Sequence, residues 1–181
     1  MKKIILRIVA GLVVLAAALL IFASTKPDTF LVEHSASINT PPGKIFSLII
    51  DFHNWNSWSP YENLDPAMKR TFSGAENSKG AAYAWEGNSN VGAGRMEIID
   101  TSLSRITIKL DFIKPFEGHT ITQFILEPEG KNTKLTWAMH GPNRFIGKIM
   151  SVFFSMDYMI GKDFEAGLSN LKSLAEKQRY E

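Results

Sequence analysis

The stretch DYMIGKDFEAGLSNLKSLAEK, residues 157–177, decides how the rest of the chain is read. Its apolar residues Ile160, Phe164, Leu168, Leu171 and Ala175 recur every three or four positions, the spacing that lays one stripe along a helix. Lys162, Asp163, Glu165, Asn170, Lys172 and Lys177 fall on the opposite side, which predicts an amphipathic helix of about five or six turns with one wet face. Such a stripe requires an apolar partner. Residues 30–137 read as short strands, so the expected partner is a curved antiparallel sheet that wraps around the helix.

The strand signal is clearest at 105–112, where Ile106, Ile108, Leu110 and Phe112 alternate with Arg105, Thr107, Lys109 and Asp111, as in a sheet wet on one side. By the same parity Tyr83 and Trp85, Met96 and Ile98, and Leu135, Trp137 and Met139 point inward. Residues 119–127 are ambiguous, and Phe124 and Leu126 are taken as the inward pair. Breakers at 73–74, 79–80, 86–90, 101–104, 114–115 and 129–132 divide this region into six strands joined by hairpins. Upstream, Phe30, Val32, Ala36 and Ile38 alternate with Leu31, Glu33, Ser35 and Ser37 in a first strand, and Pro41-Pro42 ends it. A short helix follows over 44–50, and 51–60 is irregular and aromatic. Residues 143–156 read as one further helix with only a narrow polar stripe of Arg144, Lys148, Ser151 and Ser155, so most of its surface needs cover: a lid, a membrane or a partner.

Composition bounds the rest. The chain has 181 residues, a formal net charge of +2 and 45% hydrophobic residues, which suits one globular domain plus an apolar appendage. With charge nearly balanced and no basic run beyond Lys2-Lys3, there is no electrostatic footprint for nucleic acid. The lack of cysteine excludes disulfides and thiolate chemistry without indicating a compartment. Compartment is read from residues 4–23, where Arg7 is the one charge in a run long enough, at about 1.5 Å per residue, to cross a hydrocarbon core of about 30 Å. A cleaved signal peptide is the competing reading, but the small-x-small cleavage pattern is poor around Phe22, Ala23 and Ser24. The expected organisation is therefore a transmembrane anchor over 1–25 and a folded domain over 26–181, with Lys2, Lys3 and Arg7 cytoplasmic and the domain outside, periplasmic in a bacterium.

Four groups of residues then invite comparison: Ile38-x-x-Pro41-Pro42-x-x-Ile45-Phe46; Asp51 with Trp55-x-x-Trp58-Ser59-Pro60; Trp85-Glu86-Gly87-Asn88 with Val91-Gly92-x-Gly94-x-Met96; and Asp163-Phe164-x-x-Gly167-Leu168-x-x-Leu171. Together with the order of elements they resemble the polyketide cyclase/dehydrase-like branch of the START-like, or SRPBCC, superfamily over about residues 30–176. The resemblance implies an α+β helix-grip fold, a curved antiparallel sheet of about seven strands around a long C-terminal helix. It also implies an apolar cavity between sheet and helix that takes lipids, sterols or polyketide-like molecules. The inward residues Trp58, Tyr83, Trp85, Met96, Leu110, Phe112, Trp137, Met139, Phe164 and Leu168 would line it; ordinary core packing is the alternative for the same side chains.

No catalytic constellation accompanies this. His34, His53, His119 and His140 lack metal-ligand spacing, no G-x-S-x-G elbow is present, and Gly92-x-Gly94 lacks the third glycine of a dinucleotide site, so neither metal nor cofactor is expected. Three readings of function remain: a membrane-held domain that binds a hydrophobic small molecule or lipid, an enzyme using Asp51, Glu86 or His140, and a protein-interaction module docking through 143–156.

Overall fold

A computed structural model of the chain describes residues 2–177. Helix α1 (Lys2–Ser24) is long and apolar enough to cross a membrane, with a mean hydropathy of 2.9 over its most apolar window, none of which is buried. After four residues the chain enters β1 (Thr29–Ile38), α2 (Pro42–Ile50) and two 3₁₀ turns, Phe52–Ser57 and Pro60–Asn63. Six strands follow: β2 (Lys69–Ser73), β3 (Ala82–Glu86), β4 (Ala93–Ser102), β5 (Arg105–Lys114), β6 (Gly118–Glu129) and β7 (Asn132–Pro142). The short α3 (Phe145–Met150) and the long α4 (Met156–Lys177) complete the described chain.

The seven strands form one antiparallel sheet in the order β1-β7-β6-β5-β4-β3-β2, so only β1 pairs out of sequence, on the edge of β7. The antiparallel sheet expected from the alternation, and the helix-grip architecture that the resemblance implies, are therefore present. Register lines the inner face in rows. Tyr83, Met96, Leu110 and Thr120 lie across one row, Ile108, Thr122, Met139 and Val32 across the next, and Ile106, Phe124, Trp137 and His34 across a third. The expected inward pair Phe124 and Leu126 is fully buried. Register shifts in β4 at Ala93/Gly94 and Ile98/Asp100 add local bend and twist to the sheet.

Against this face α4 buries Gly161, Phe164, Gly167, Leu168, Leu171 and Ala175, with Ile160 at the edge of the stripe only partly covered. Two glycines join the stripe because side chains of the sheet come too close for anything larger. A Cβ at Gly167 would lie 2.6 Å from Cζ3 of Trp137.

One expected element is corrected. Residues 143–156 do not form a single helix: α3 stops at Met150, and 151–154 are turns. The physical reason is Ser155, whose Oγ accepts a hydrogen bond from the Tyr158 backbone N–H at 3.0 Å and so caps a new helix, α4. No residue of α3 is buried, and residues 147–149 are half-buried.

Candidate functional site

All ten expected lining residues belong to the single core cluster between the sheet and α4, but in two different conditions. The deep part is closed by aromatic packing: Trp137 stacks on Phe164 with centroids 4.2 Å apart, and lies 5.7 Å from Trp58 and 5.0 Å from Phe124. Leu168 is buried beside them. Tyr83, though buried, is held at its hydroxyl. The other end is more open. There Trp85 and Phe112 meet edge to face at 6.2 Å and stay only partly buried, with Met96 and Leu110 in the next row and Met139 further along, on β7. Gly94 and Gly118 flank Phe112 in register, so this end of the inner face carries two rings and little else. The Trp85 ring lies over Gly94, where a Cβ would come within 2.4 Å of it.

Inside this apolar surface four polar atoms have no hydrogen-bond partner among the described residues: Trp137 Nε1, Thr101 Oγ1, Thr120 Oγ1 and Thr122 Oγ1. The other three tryptophans each donate to a backbone carbonyl, Trp55 to Ile49 at 2.9 Å, Trp58 to Leu48 at 3.2 Å and Trp85 to Val91 at 3.0 Å. Buried Trp N–H groups usually find such an acceptor. The contrast singles out Trp137. Register places these four atoms on one surface: Thr101 pairs with Ile106, Thr122 with Met139, Phe124 with Trp137, and Thr120 with Leu110. Thr120 and Thr122 are functional candidates that the sequence did not single out, because β6 has apolar residues on both parities and its inner face is legible only from its neighbours.

The charged groups do not converge on this interior. Glu62, 7% exposed, accepts from Arg70 Nε at 2.7 Å and from the Tyr83 hydroxyl at 2.7 Å. Burial, followed by the bond to Glu62, pushes the Tyr83 phenol well above the ordinary tyrosine range, and the same carboxylate raises Arg70. Asp51 caps the first 3₁₀ turn by accepting from the His53 backbone N–H at 2.9 Å. Glu86 pairs with Lys114 at the surface and His140 is exposed. His34 was overlooked in the sequence, although it shares the inward parity of Val32 and Ala36. It bridges to α4, 2.8 Å from Asp157 and 3.3 Å from Glu165. Among the described residues no group of three or more His, Cys, Asp or Glu is placed to hold a metal ion.

Two surface cavities lie outside the sheet–helix interior, and neither is lined by any of the ten residues. One of about 250 Å³ is walled by Asp51, His53, Phe72, Glu76 and Asn77. The other, of about 270 Å³, lies between the linker after α1 and residues 143–159, with Phe30, Leu31, Met150, Phe154 and Met159 among its walls.

An open antiparallel sheet gripping a C-terminal helix over an aromatic interior defines the helix-grip class of the SRPBCC superfamily. The family model described as "Polyketide cyclase / dehydrase and lipid transport" matches residues 29–176, and the chain belongs to that family. No curated protein sequence matches the chain. Among solved structures it is similar to the di-domain ARO/CYC StfQ from the steffimycin biosynthetic pathway (TM-score 0.64, 8% identity), covering 84% of this chain and 52% of that one. It is also similar to major latex-like protein 151 from Panax ginseng (TM-score 0.56, 10% identity, 82% and 99% covered). A third similar structure is Ara h 8.0201 (TM-score 0.55, 8% identity, 82% and 99% covered). At such identities the likeness is one of fold.

Proposed function

We propose that the chain is a membrane-anchored binding domain for a hydrophobic small molecule or lipid that carries at least one oxygen, and that it binds rather than transforms its ligand. The observation that carries this reading is the set of unpartnered polar atoms on the inner face, of which Trp137 Nε1, Thr120 Oγ1 and Thr122 Oγ1 lie on the neighbouring strands β6 and β7. A buried polar group without a partner costs about 1–3 kcal/mol, and a ligand carbonyl or hydroxyl would recover that cost. The ligand runs from the open end, against Trp85, Met96, Leu110 and Phe112, along β6 and past Met139 to the Trp137 N–H. Trp58, Tyr83, Phe164 and Leu168 form the packed floor beneath it. Methionine side chains are flexible enough to yield to an apolar guest, which suits Met96 and Met139 as walls. The family description and the two-domain cyclase StfQ agree with a ligand of this class. Binding without turnover is favoured because Asp51 and Glu86 are committed to local partners, and His140 is exposed. Helix α1 is the anchor, with its N-terminus cytoplasmic and the domain outside.

The test is a screen of fatty acids, sterols and polyphenols by thermal shift, repeated on Trp137→Phe and Thr122→Val. Phenylalanine keeps most of the ring packing and removes the N–H; valine keeps the shape of threonine and removes the hydroxyl. Each should weaken binding of an oxygen-bearing ligand by about tenfold, the weight of one hydrogen bond; Thr122→Val should leave the melting temperature of the free protein unchanged, whereas Trp137→Phe lowers it by the ring packing lost. If no ligand shifts the melt, or both variants bind like the parent, the reading fails.

A further inference from the structure

Among the described residues, and Leu64, Phe72 and Leu103 aside, every exposed large hydrophobic residue outside α1 lies at one end of the molecule, on the start of β1, the β5–β6 hairpin and residues 145–159. Register puts these segments together, since Thr29 pairs with Pro142 and Phe112 with Gly118. Phe116, Phe145, Ile146, Phe153, Phe154 and Met159 stand out most. Scattered surface hydrophobes need no explanation, but a cluster of aromatic and aliphatic side chains marks a contact site.

The chain itself indicates what covers it. Only four residues separate the end of α1 from β1, and α1 packs against α3. The linker is tied to α3 as well: Asn143 donates from its backbone N–H to the Asp28 carbonyl at 2.7 Å and from Nδ2 to the Pro27 carbonyl at 3.2 Å, and Lys148 pairs with Asp28. The apolar end therefore cannot move away from the place where α1 leaves the bilayer. Arg144 and Lys162 are exposed among these hydrophobes, with side chains long enough to reach lipid headgroups while their neighbours lie deeper. We infer that this apron of exposed apolar side chains rests in the interfacial layer of the bilayer that α1 crosses. The domain is then held against the membrane at two places, with the cavity between the linker and residues 143–159, and the more open end of the sheet, turned toward the lipid. The inference builds on the reading of α1 as a membrane anchor.

The absence of cysteine makes site-specific labelling clean. The full chain would be reconstituted in vesicles of phosphatidylcholine and phosphatidylglycerol as single-cysteine variants Ile146→Cys, Phe153→Cys and Phe116→Cys. Val13→Cys in α1 and Leu103→Cys in the β4–β5 turn serve as controls. Each carries an environment-sensitive fluorophore and is quenched by spin-labelled lipid and by aqueous iodide. Labels at 116, 146 and 153 should be quenched by the lipid probe several-fold more than the label at 103, and protected from iodide. If they quench with iodide as freely as 103 while the label at 13 is in lipid, the anchor stands but the apron does not touch the membrane, and the inference falls. Shielding of the three from both quenchers would show that a protein partner or a second copy covers them, which also overturns it. A label at 13 open to iodide would remove the anchor, and the inference with it.

Discussion

Glu62 and Asp111 show two ways a carboxylate is held in this fold. Glu62 is almost wholly buried, and its two oxygens take one donor each from Arg70 and Tyr83, so the charge is enclosed with its partners satisfied. Asp111 is on the outer face of β5. Its partial burial would raise the pKa, but hydrogen bonds from His119 at 2.6 Å and from Lys109 at 2.9 Å outweigh that and hold it below its ordinary value of about 3.8. A carboxylate whose folded pKa is depressed adds stability that is present above the unfolded pKa and lost as pH falls through the folded one. The melting temperature of Asp111→Asn should therefore lie below that of the parent at about pH 6, and the gap should close as pH falls below about 3.8. A gap unchanged down to about pH 2 would show that the pairs contribute nothing. Trp137 belongs to the same scale: that it faces inward is legible from strand parity, whereas the lack of an acceptor for its N–H depends on atoms brought together only by the fold.

At the scale of elements, α4 explains most of the architecture, and its glycines are the sharpest point of contact. Adding a methyl group in a helix normally gains up to about 1 kcal/mol over glycine, so Gly43→Ala in α2, where nothing lies within 4 Å of the added Cβ, should raise stability by about that amount. At Gly167 the same substitution meets Trp137 at 2.6 Å and Pro60 at 3.2 Å. Overpacking a filled core costs about 1–3 kcal/mol, more than the propensity gained. Gly167→Ala should therefore lower the midpoint in urea while Gly43→Ala raises it; two shifts of the same sign would contradict the packing described. The stripe on α4 and the inward parity of β3, β4, β5 and β7 were legible because each repeats a period within its own segment. Two features were not. The split of 143–156 into α3 and a turn rests on one cap at Ser155, which hydrophobic spacing does not report. The inner face of β6, with Thr120 and Thr122 on it, depends on pairing with β5 and β7.

At the scale of the whole molecule, α1, the exposed hydrophobes beside it and the open end of the sheet lie on one side, and the packed floor lies beyond them. If α1 is a permanent anchor, N-terminal sequencing of the protein recovered from membranes should begin at or near Met1; a chain beginning near Ser24 would instead make residues 1–23 a cleaved signal peptide. Sequence by itself determined the order of elements, the face that α4 and strands β3, β4, β5 and β7 bury, and an apolar segment able to span a bilayer. Those follow from spacing along the chain, where periods of about 3.6 and 2 place a residue relative to its near neighbours. Only the tertiary structure decided which inward residues are packed and which lie at the more open end, which buried polar atoms go without a partner, and that the exposed hydrophobes gather beside α1. Each of these depends on residues far apart in sequence, such as Thr29 and Pro142 or Trp137 and Phe164, and no local period reports how they meet.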